Sequence, residues 1–138
     1  MLEIRGIDHI VMRTADMEAM IGFYQGVLNC SLERELPDLG LVQLRAGAAL
    51  IDLVTVDGEL GKQGGEAPSQ TGRNVDHFCL TIAPLGETAL SEYLVQQGLS
   101  VPEFSRRYGA QGYGQSVYIN DPEGNIVELK IENSAASS

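Results

Sequence analysis

The chain has 138 residues, a length that suits one domain or two small halves sharing a core. Its 19 acidic and 9 basic residues give a formal net charge of −10, which argues against nucleic acid or a membrane surface as a partner because both attract basic proteins. The two cysteines predict neither a disulfide framework nor a metal knuckle, and no amino-terminal stretch has the charge and apolar run of a signal peptide. We therefore expect a cytoplasmic protein.

The amino-terminal half predicts a strand, a helix and three further strands. Residues 4–13 form the first predicted strand, and Thr14 or Asp16 caps the helix that follows. The apolar stripe of this helix comprises Met17, Met20, Ile21, Tyr24, Val27 and Leu28. Three short alternating segments then predict strands at 31–36, 41–46 and 49–56.

Residues 57–73 hold five glycines and no periodic pattern, so they predict a connector that can also serve as a mobile flap. The order of elements then restarts with a predicted strand at 74–82 and a helix opened by Pro84 and ended by Gly98. The residues of this helix predicted to face inward are Ala89, Leu90, Tyr93 and Leu94. Strands are predicted at about 100–106, at 115–120 and at 125–131, with a tight turn at 121–125.

The two halves resemble each other in sequence. The stretch "IDHIVM" matches "VDHFCL", and this match aligns His9 with His77. The stretch "GAALIDLV" matches "EGNIVELK", and this match aligns Asp52 with Glu128. The sequence therefore predicts an internal repeat in which each half supplies one histidine and one carboxylate.

These four side chains predict a metal site. If an approximate two-fold axis relates the halves, strand alternation brings His9, Asp52, His77 and Glu128 to a common point. Two imidazoles and two carboxylates suit a divalent ion, and Zn, Ni, Mn, Fe and Co fit such donors about equally. A lone strand histidine is more often hydrogen-bonded than metal-bound, but an unpaired carboxylate within an apolar strand is costly, which favours the metal.

Four stretches of the chain resemble the vicinal oxygen chelate superfamily: "DHIVM", "GFYQGVLNC", "DHFCL" and "DPEGNIVEL". That superfamily includes glyoxalase I, extradiol dioxygenases, and the fosfomycin and bleomycin resistance proteins. The resemblance spans about residues 4–131 and implies an α+β fold in a single domain over 1–138. Its βαβββ modules, at 4–56 and 74–131, would form an eight-stranded, cupped, mixed sheet around the metal.

Glyoxalase I is the member whose ligand layout is most similar, since only Asp52 departs from its pattern of two histidines and two glutamates. The resemblance implies a metal that holds an enediolate of a small substrate while Glu128 moves the proton. Arg13 matches an arginine that binds the glutathione carboxylate there, so it is a candidate substrate ligand. Val56 stands where an asparagine is expected, which argues against glutathione.

Two other activities stay open. Extradiol dioxygenases bind Fe(II) through two histidines and a glutamate, which His9, His77 and Glu128 can supply, and Tyr118 matches a tyrosine of that pattern. They also need another histidine, and the chain has only two. Bleomycin resistance proteins are binding proteins without catalysis, and their cationic ligand would suit the acidic composition. Strand alternation places Ser116 on the face of Tyr118, so both are candidate substrate-binding residues.

The glycine-rich segment 106–114 carries Arg106, Arg107, Tyr108 and Tyr113, and we interpret it as a loop that can close over a bound anion. The superfamily commonly pairs modules between subunits, so the resemblance also implies a homodimer.

Overall fold

The structure is a computed structural model, and it describes residues 1–73 and 75–133. The chain divides into two compact units, one ending at Arg73 and the other comprising the remainder. Each unit is a βαβββ module with a four-stranded mixed sheet. The predicted α+β class and the eight strands are therefore confirmed, with the strands arranged as two sheets of four.

The first unit has the sheet order β1-β4-β3-β2, in which β1 runs parallel to β4 and the other neighbours are antiparallel. Its strands are β1 (His9–Thr14), β2 (Ser31–Leu36), β3 (Leu41–Ala46) and β4 (Ala49–Thr55). Helix α1 (Met17–Ile21) continues into a π-helical segment over Gly22–Val27, and 3-10 turns occupy Pro37–Leu39 and Gly61–Gly64.

The second unit repeats this arrangement with the order β5-β8-β7-β6, and again the first strand runs parallel to the last. Its strands are β5 (Phe78–Ile82), β6 (Ser105–Gly109), β7 (Gly112–Asn120) and β8 (Ile126–Ile131), and its helix is α2 (Glu87–Gln96). No helix in the described part of the chain is long and apolar enough to cross a membrane.

Strand register confirms the internal repeat. Val11 of β1 pairs with Asp52 of β4, and Cys79 of β5 pairs with Glu128 of β8. The sequence match between the halves aligns Val11 with Cys79 and Asp52 with Glu128, so the two pairs are equivalent. Because register fixes which face each side chain occupies, the carboxylates hold equivalent places in the two sheets.

The helices differ from the prediction in their starts and their buried faces. Asp16 is the cap of α1, since its side chain accepts a hydrogen bond from the Ala19 amide. Helix α2 begins at Glu87 and not at Pro84. It buries Leu90 and Leu94 as predicted, whereas Ala89 and Tyr93 are exposed. This helix therefore packs through one row of buried side chains, Leu90 and Leu94.

The first strand of each unit starts later than predicted. Residues 4–8 lie outside β1, so His9 is the first residue of that strand. Strand β5 starts at Phe78, which leaves His77 just before the strand, and Asn74 lies outside the described residues.

The predicted loop at 106–114 is wrong, because β6 and β7 form a hairpin through this segment. Tyr108 pairs with Tyr113, and their rings make an edge-to-face contact with centroids 5.1 Å apart. Gly112 follows the turn with φ +93°, a value that glycine adopts without strain. Cross-strand pairing of the tyrosines thus compensates for the weak strand propensity of the glycines.

The turn before β8 sets the position of Glu128. Asp121 is buried, and its Oδ1 accepts hydrogen bonds from the amides of Glu123 and Asn125, both at 2.9 Å. Gly124 has φ +82°, which allows the chain to reverse. This turn therefore starts β8 at a fixed point.

Candidate metal and substrate site

Glu128 is the centre of a polar cluster in the second unit. The residue is only 6% exposed, and its Oε2 accepts a hydrogen bond from Ser116 Oγ at 2.6 Å. Its Oε1 lies 3.2 Å from His77 Nε2, and Tyr118 is its cross-strand neighbour on β7. The structure therefore brings together four of the predicted site residues.

The cluster favours the charged form of Glu128. Burial alone would raise the pKa of this carboxyl, but hydrogen bonds from Ser116 and Tyr118 and the nearby His77 outweigh burial and lower it. Burial and the charge of Glu128 in turn raise the pKa of Tyr118, so its hydroxyl remains a donor. The ring of Tyr118 meets that of His77 edge to face, with centroids 5.5 Å apart.

His77 is oriented by the residue before it. Its Nδ1 lies 2.7 Å from Asp76 Oδ2, which leaves Nε2 directed at Glu128. The Asp76 hydrogen bond is the main cause of the raised pKa of His77, and the Glu128 charge adds to it, although desolvation opposes both. A carboxylate on one ring nitrogen with the other nitrogen available is the usual setting of a metal-ligating histidine.

The first unit repeats part of this geometry. His9 Nδ1 lies 2.7 Å from Asp8 Oδ1, and this hydrogen bond is the main cause of the raised pKa of His9. Asp52 is 4% exposed and its Oδ2 accepts a hydrogen bond from Gln43 Nε2 at 3.0 Å. Its Oδ1 is buried and finds no hydrogen-bond partner among the described residues. A buried carboxylate oxygen of this kind is costly unless a cation or donor meets it.

Gln43 is a site residue that the sequence analysis did not single out. It pairs with Asp52 across β3 and β4, as Tyr118 pairs with Glu128 across β7 and β8. Its Oε1 accepts a hydrogen bond from Arg34 Nε, so the amide group is fixed with its nitrogen towards Asp52. The sequence carried no signal for Gln43, because the match that aligns Asp52 with Glu128 would align Gln43 with the apolar Ile119, and only the strand register relates it to Tyr118.

Arg13 binds the segment that follows the first sheet. Its guanidinium nitrogens donate to the carbonyls of Gly61 at 2.8 Å, Gly65 at 2.6 Å and Glu66 at 2.8 Å. A Cβ at Gly64 would collide with the Arg13 guanidinium, so a larger residue there would have to displace this side chain from its hydrogen bonds. The connector is thus wrapped around Arg13, and a role for Arg13 in binding substrate stays a prediction.

A cleft of about 610 Å³ opens beside Glu128, and all its lining residues belong to the second unit. His77, Cys79 and Lys130 line it together with the hairpin of β6 and β7. Burial, with the charge of Glu128, raises the pKa of the Cys79 thiol to about 11, so this sulfur stays protonated and is a poor nucleophile.

The predicted metal donors are one imidazole and one carboxylate in each unit. Within residues 1–73 and 75–133, no three His, Cys, Asp or Glu side chains are grouped closely enough to hold an ion. In the second unit His77 Nε2 and Glu128 Oε1 are adjacent, and in the first the Asp52 charge helps to raise the pKa of His9. These donor types fit a divalent transition metal.

The fold and the donors define a class of protein, and comparison with known sequences identifies it. The Glyoxalase/Bleomycin resistance protein/Dioxygenase superfamily matches residues 6–129. The chain belongs to this superfamily, as the resemblance in the sequence had implied.

Two known proteins have sequences similar to most of the chain. Virulence protein STM3117 of Salmonella typhimurium is 33% identical over 124 residues, which is 89% of this chain and 81% of that protein. Its solved structure covers 96% of this chain and 100% of its own, with a TM-score of 0.73 and 26% identity. Biphenyl-2,3-diol 1,2-dioxygenase 3 of Rhodococcus globerulus is 28% identical over 92% of this chain, which spans only 63% of that enzyme.

A lactoylglutathione lyase structure from Agrobacterium tumefaciens covers 93% of this chain and 94% of its own, with a TM-score of 0.66 and 21% identity. At that identity the likeness concerns the fold alone.

Proposed function

We propose that this protein is a metal-dependent, glyoxalase-like enzyme whose small substrate offers vicinal oxygens to a divalent metal. His77 and Glu128 are two of its ligands, and His9 and Asp52 are the others that the family resemblance implies. The observation that carries the proposal is the matched pair of donors: Glu128 Oε1 beside His77 Nε2, and an unpartnered buried oxygen on Asp52. A bound cation would satisfy both carboxylates.

The metal would act as a Lewis acid on the substrate oxygens, and Zn, Ni, Mn, Fe and Co all suit these donors. Ser116 donates a hydrogen bond to Glu128 Oε2 and Oε1 lies beside His77 Nε2, so Oε1 is the oxygen that would face both the metal and the proton of the substrate. The hydroxyls of Ser116 and Tyr118 favour the charged carboxylate, which is the form that a general base requires.

The second candidate is an Fe(II) dioxygenase, and the observation in its favour is the relative named as a biphenyl-2,3-diol dioxygenase. It would use His9, His77 and Glu128 as ligands, with Tyr118 beside them. The chain holds no third histidine for acid–base chemistry, and this difference favours the glyoxalase-like reaction. A binding protein without catalysis is the third outcome.

The test is metal retention after dialysis of wild type and variants. His77→Ala removes one donor outright, and we expect it to lose most of the metal. Asp52→Ala should lose less, because the shorter aspartate reaches an ion with poorer geometry than glutamate, and Asp52→Glu should retain more. Asp38→Ala removes an exposed carboxylate from the unit that contains Asp52 and serves as the matched control for that residue. Folding midpoints with and without metal show which losses come from unfolding.

Loaded protein is then assayed on 2-oxoaldehydes, catechols and epoxides. Turnover of a 2-oxoaldehyde supports the glyoxalase-like reaction, and oxygen uptake with a catechol supports the dioxygenase. Full metal retention by His77→Ala, or no retention by wild type, would leave the binding protein. The expected homodimer and cytoplasmic location belong to the same proposal, and a monomeric mass in light scattering at micromolar concentration would contradict the dimer.

A further inference from the structure

Lys130 is a buried cation that the proposed reaction does not use. It lies on β8 two residues after Glu128, so alternation puts both side chains on one face of the sheet. The residue is only 8% exposed, and it lines the same cleft as His77 and Glu128. The chain has one other lysine, Lys62, which lies in the first unit.

Glycines of the neighbouring hairpin make room for this side chain. A Cβ at Gly109 would lie 2.8 Å from Lys130 Nζ, and a Cβ at Gly114 would lie 3.0 Å from its Cε. Nζ donates a hydrogen bond to the Gly112 carbonyl. The hairpin that replaces the predicted loop therefore holds the ammonium in a fixed place at the cleft.

The Lys130 ammonium has fewer partners than a buried charge needs. It has three donors, and within residues 1–73 and 75–133 no carboxylate forms an ion pair with it. A buried charge is expensive unless an opposite charge or several hydrogen bonds meet it. In a chain of net charge −10, a cation kept in this way points to an anionic ligand.

We propose that the cleft binds a substrate with an anionic acid group, a carboxylate or a phosphate, on Lys130 Nζ. The other end of the substrate lies at Glu128 and His77, a placement that rests on the proposed metal-dependent function. Two residues along a strand span about 7 Å, so the acid group lies three or four bonds from the chelating oxygens. The Thr81 hydroxyl, opposite Lys130 in the register, lines the same end of the cleft.

The first test compares two chelators of equal length on Co(II)-loaded protein. Butyrohydroxamate ends in a methyl group, and the monohydroxamate of succinic acid ends in a carboxylate. Calorimetry should give wild type a Kd about 10- to 100-fold lower for the carboxylate compound, as a charge-assisted hydrogen bond implies. Lys130→Gln should abolish this difference and leave the Kd of butyrohydroxamate within about twofold. Lys62→Gln, which removes the same charge from an exposed position, should preserve the difference.

The second test needs no metal. Lysine-selective ¹³C labelling gives two side-chain Cε signals, which Lys62→Gln assigns. Succinate and inorganic phosphate, titrated at constant ionic strength against chloride, should move the Lys130 signal to saturation and leave that of Lys62 in place. The stronger of the two anions distinguishes a carboxylate from a phosphate substrate.

Each result decides the inference. A wild type that does not distinguish the two hydroxamates, or a difference that survives in Lys130→Gln, shows that the anion binds elsewhere or not at all. If the protein takes up no metal, the proposed function fails, and the labelled titration alone decides on Lys130. In that titration, the inference is overturned if the Lys130 signal responds to chloride as it does to succinate and phosphate.

Discussion

The two units place a cation at the same point of their sheets and use it differently. In the first, Arg13 pairs with Val54, and in the second, Thr81 pairs with Lys130. The match between the halves aligns these two pairs, so the cation occupies the same position in both sheets but lies on β1 in the first unit and on β8 in the second. Arg13 is held by three backbone carbonyls, whereas Lys130 donates to one and faces a cleft. A duplicated backbone has thus acquired a structural cation in one half and a candidate binding group in the other.

The carboxylates show the same divergence. Asp52 lies beside the amide of Gln43, a donor that keeps its protons. Glu128 lies beside the hydroxyls of Ser116 and Tyr118 and beside an imidazole. In the proposed function, proton transfer would therefore fall to Glu128 of the second unit, whereas Asp52 of the first would supply a charge and a metal ligand.

The largest expected effect sharpens this division. Glu128→Gln and Asp52→Asn each remove one charge with little change in shape. With added metal at saturation, we expect Glu128→Gln to lower kcat by about 10²- to 10⁴-fold, the usual contribution of a general base. Asp52→Asn should act mainly on the metal concentration needed. The measurement is kcat on the substrate class that wild type turns over, as a function of metal, and equal losses of kcat would refute the division.

The sequence predicted strands well where the pattern of one strand and its turn was sufficient. Residues 31–36 and 41–46 became β2 and β3 with the expected bounds, since alternation and the turn at Pro37–Leu39 are local features. The hairpin of β6 and β7 was missed, because its glycines weaken local propensity and the pairing of Tyr108 with Tyr113 is a tertiary effect.

The candidate site shows the same limit. Alternation brought Ser116 and Tyr118 to the face of Glu128, because all three follow from position along a strand. Gln43 and Lys130 were not singled out, because their importance depends on cross-strand register and on glycines in another strand. A shift of one residue in register would turn either side chain to the opposite face.

A smaller effect tests the structural role of Arg13. Arg13→Gln loses the guanidinium hydrogen bonds to the connector, and we expect the free energy of unfolding to fall by about 1–3 kcal/mol. Residues 61–66 should also become more sensitive to protease. Arg45→Gln is the control, since this arginine makes an exposed ion pair with Glu33 and its loss should cost less than about 0.5 kcal/mol. Equal effects in denaturant and proteolysis experiments would show that Arg13 does not hold the connector.

The smallest effect concerns the two histidines, which differ in what remains when the preceding aspartate is removed. The pKa of each histidine is raised, and the main cause is the hydrogen bond to Asp8 for His9 and to Asp76 for His77. In the metal-free protein each histidine therefore stabilises the fold at pH values below its unfolded pKa, and this stabilisation is lost as the pH rises through the folded pKa. Metal needs the neutral imidazole, so metal affinity should rise with pH over that same window.

Asp8→Asn and Asp76→Asn should both lower the pKa of the following histidine. The decrease should leave His77 with the higher value, because Glu128 still contacts Nε2 at 3.2 Å, whereas Asp52 acts on His9 only through its charge. The two imidazole signals of the metal-free protein can be followed by NMR during a pH titration, with each variant assigning its own signal. If His9 and His77 end at the same pKa, the contact between His77 and Glu128 does not persist in solution, and the second unit loses the feature that sets its carboxylate apart from that of the first.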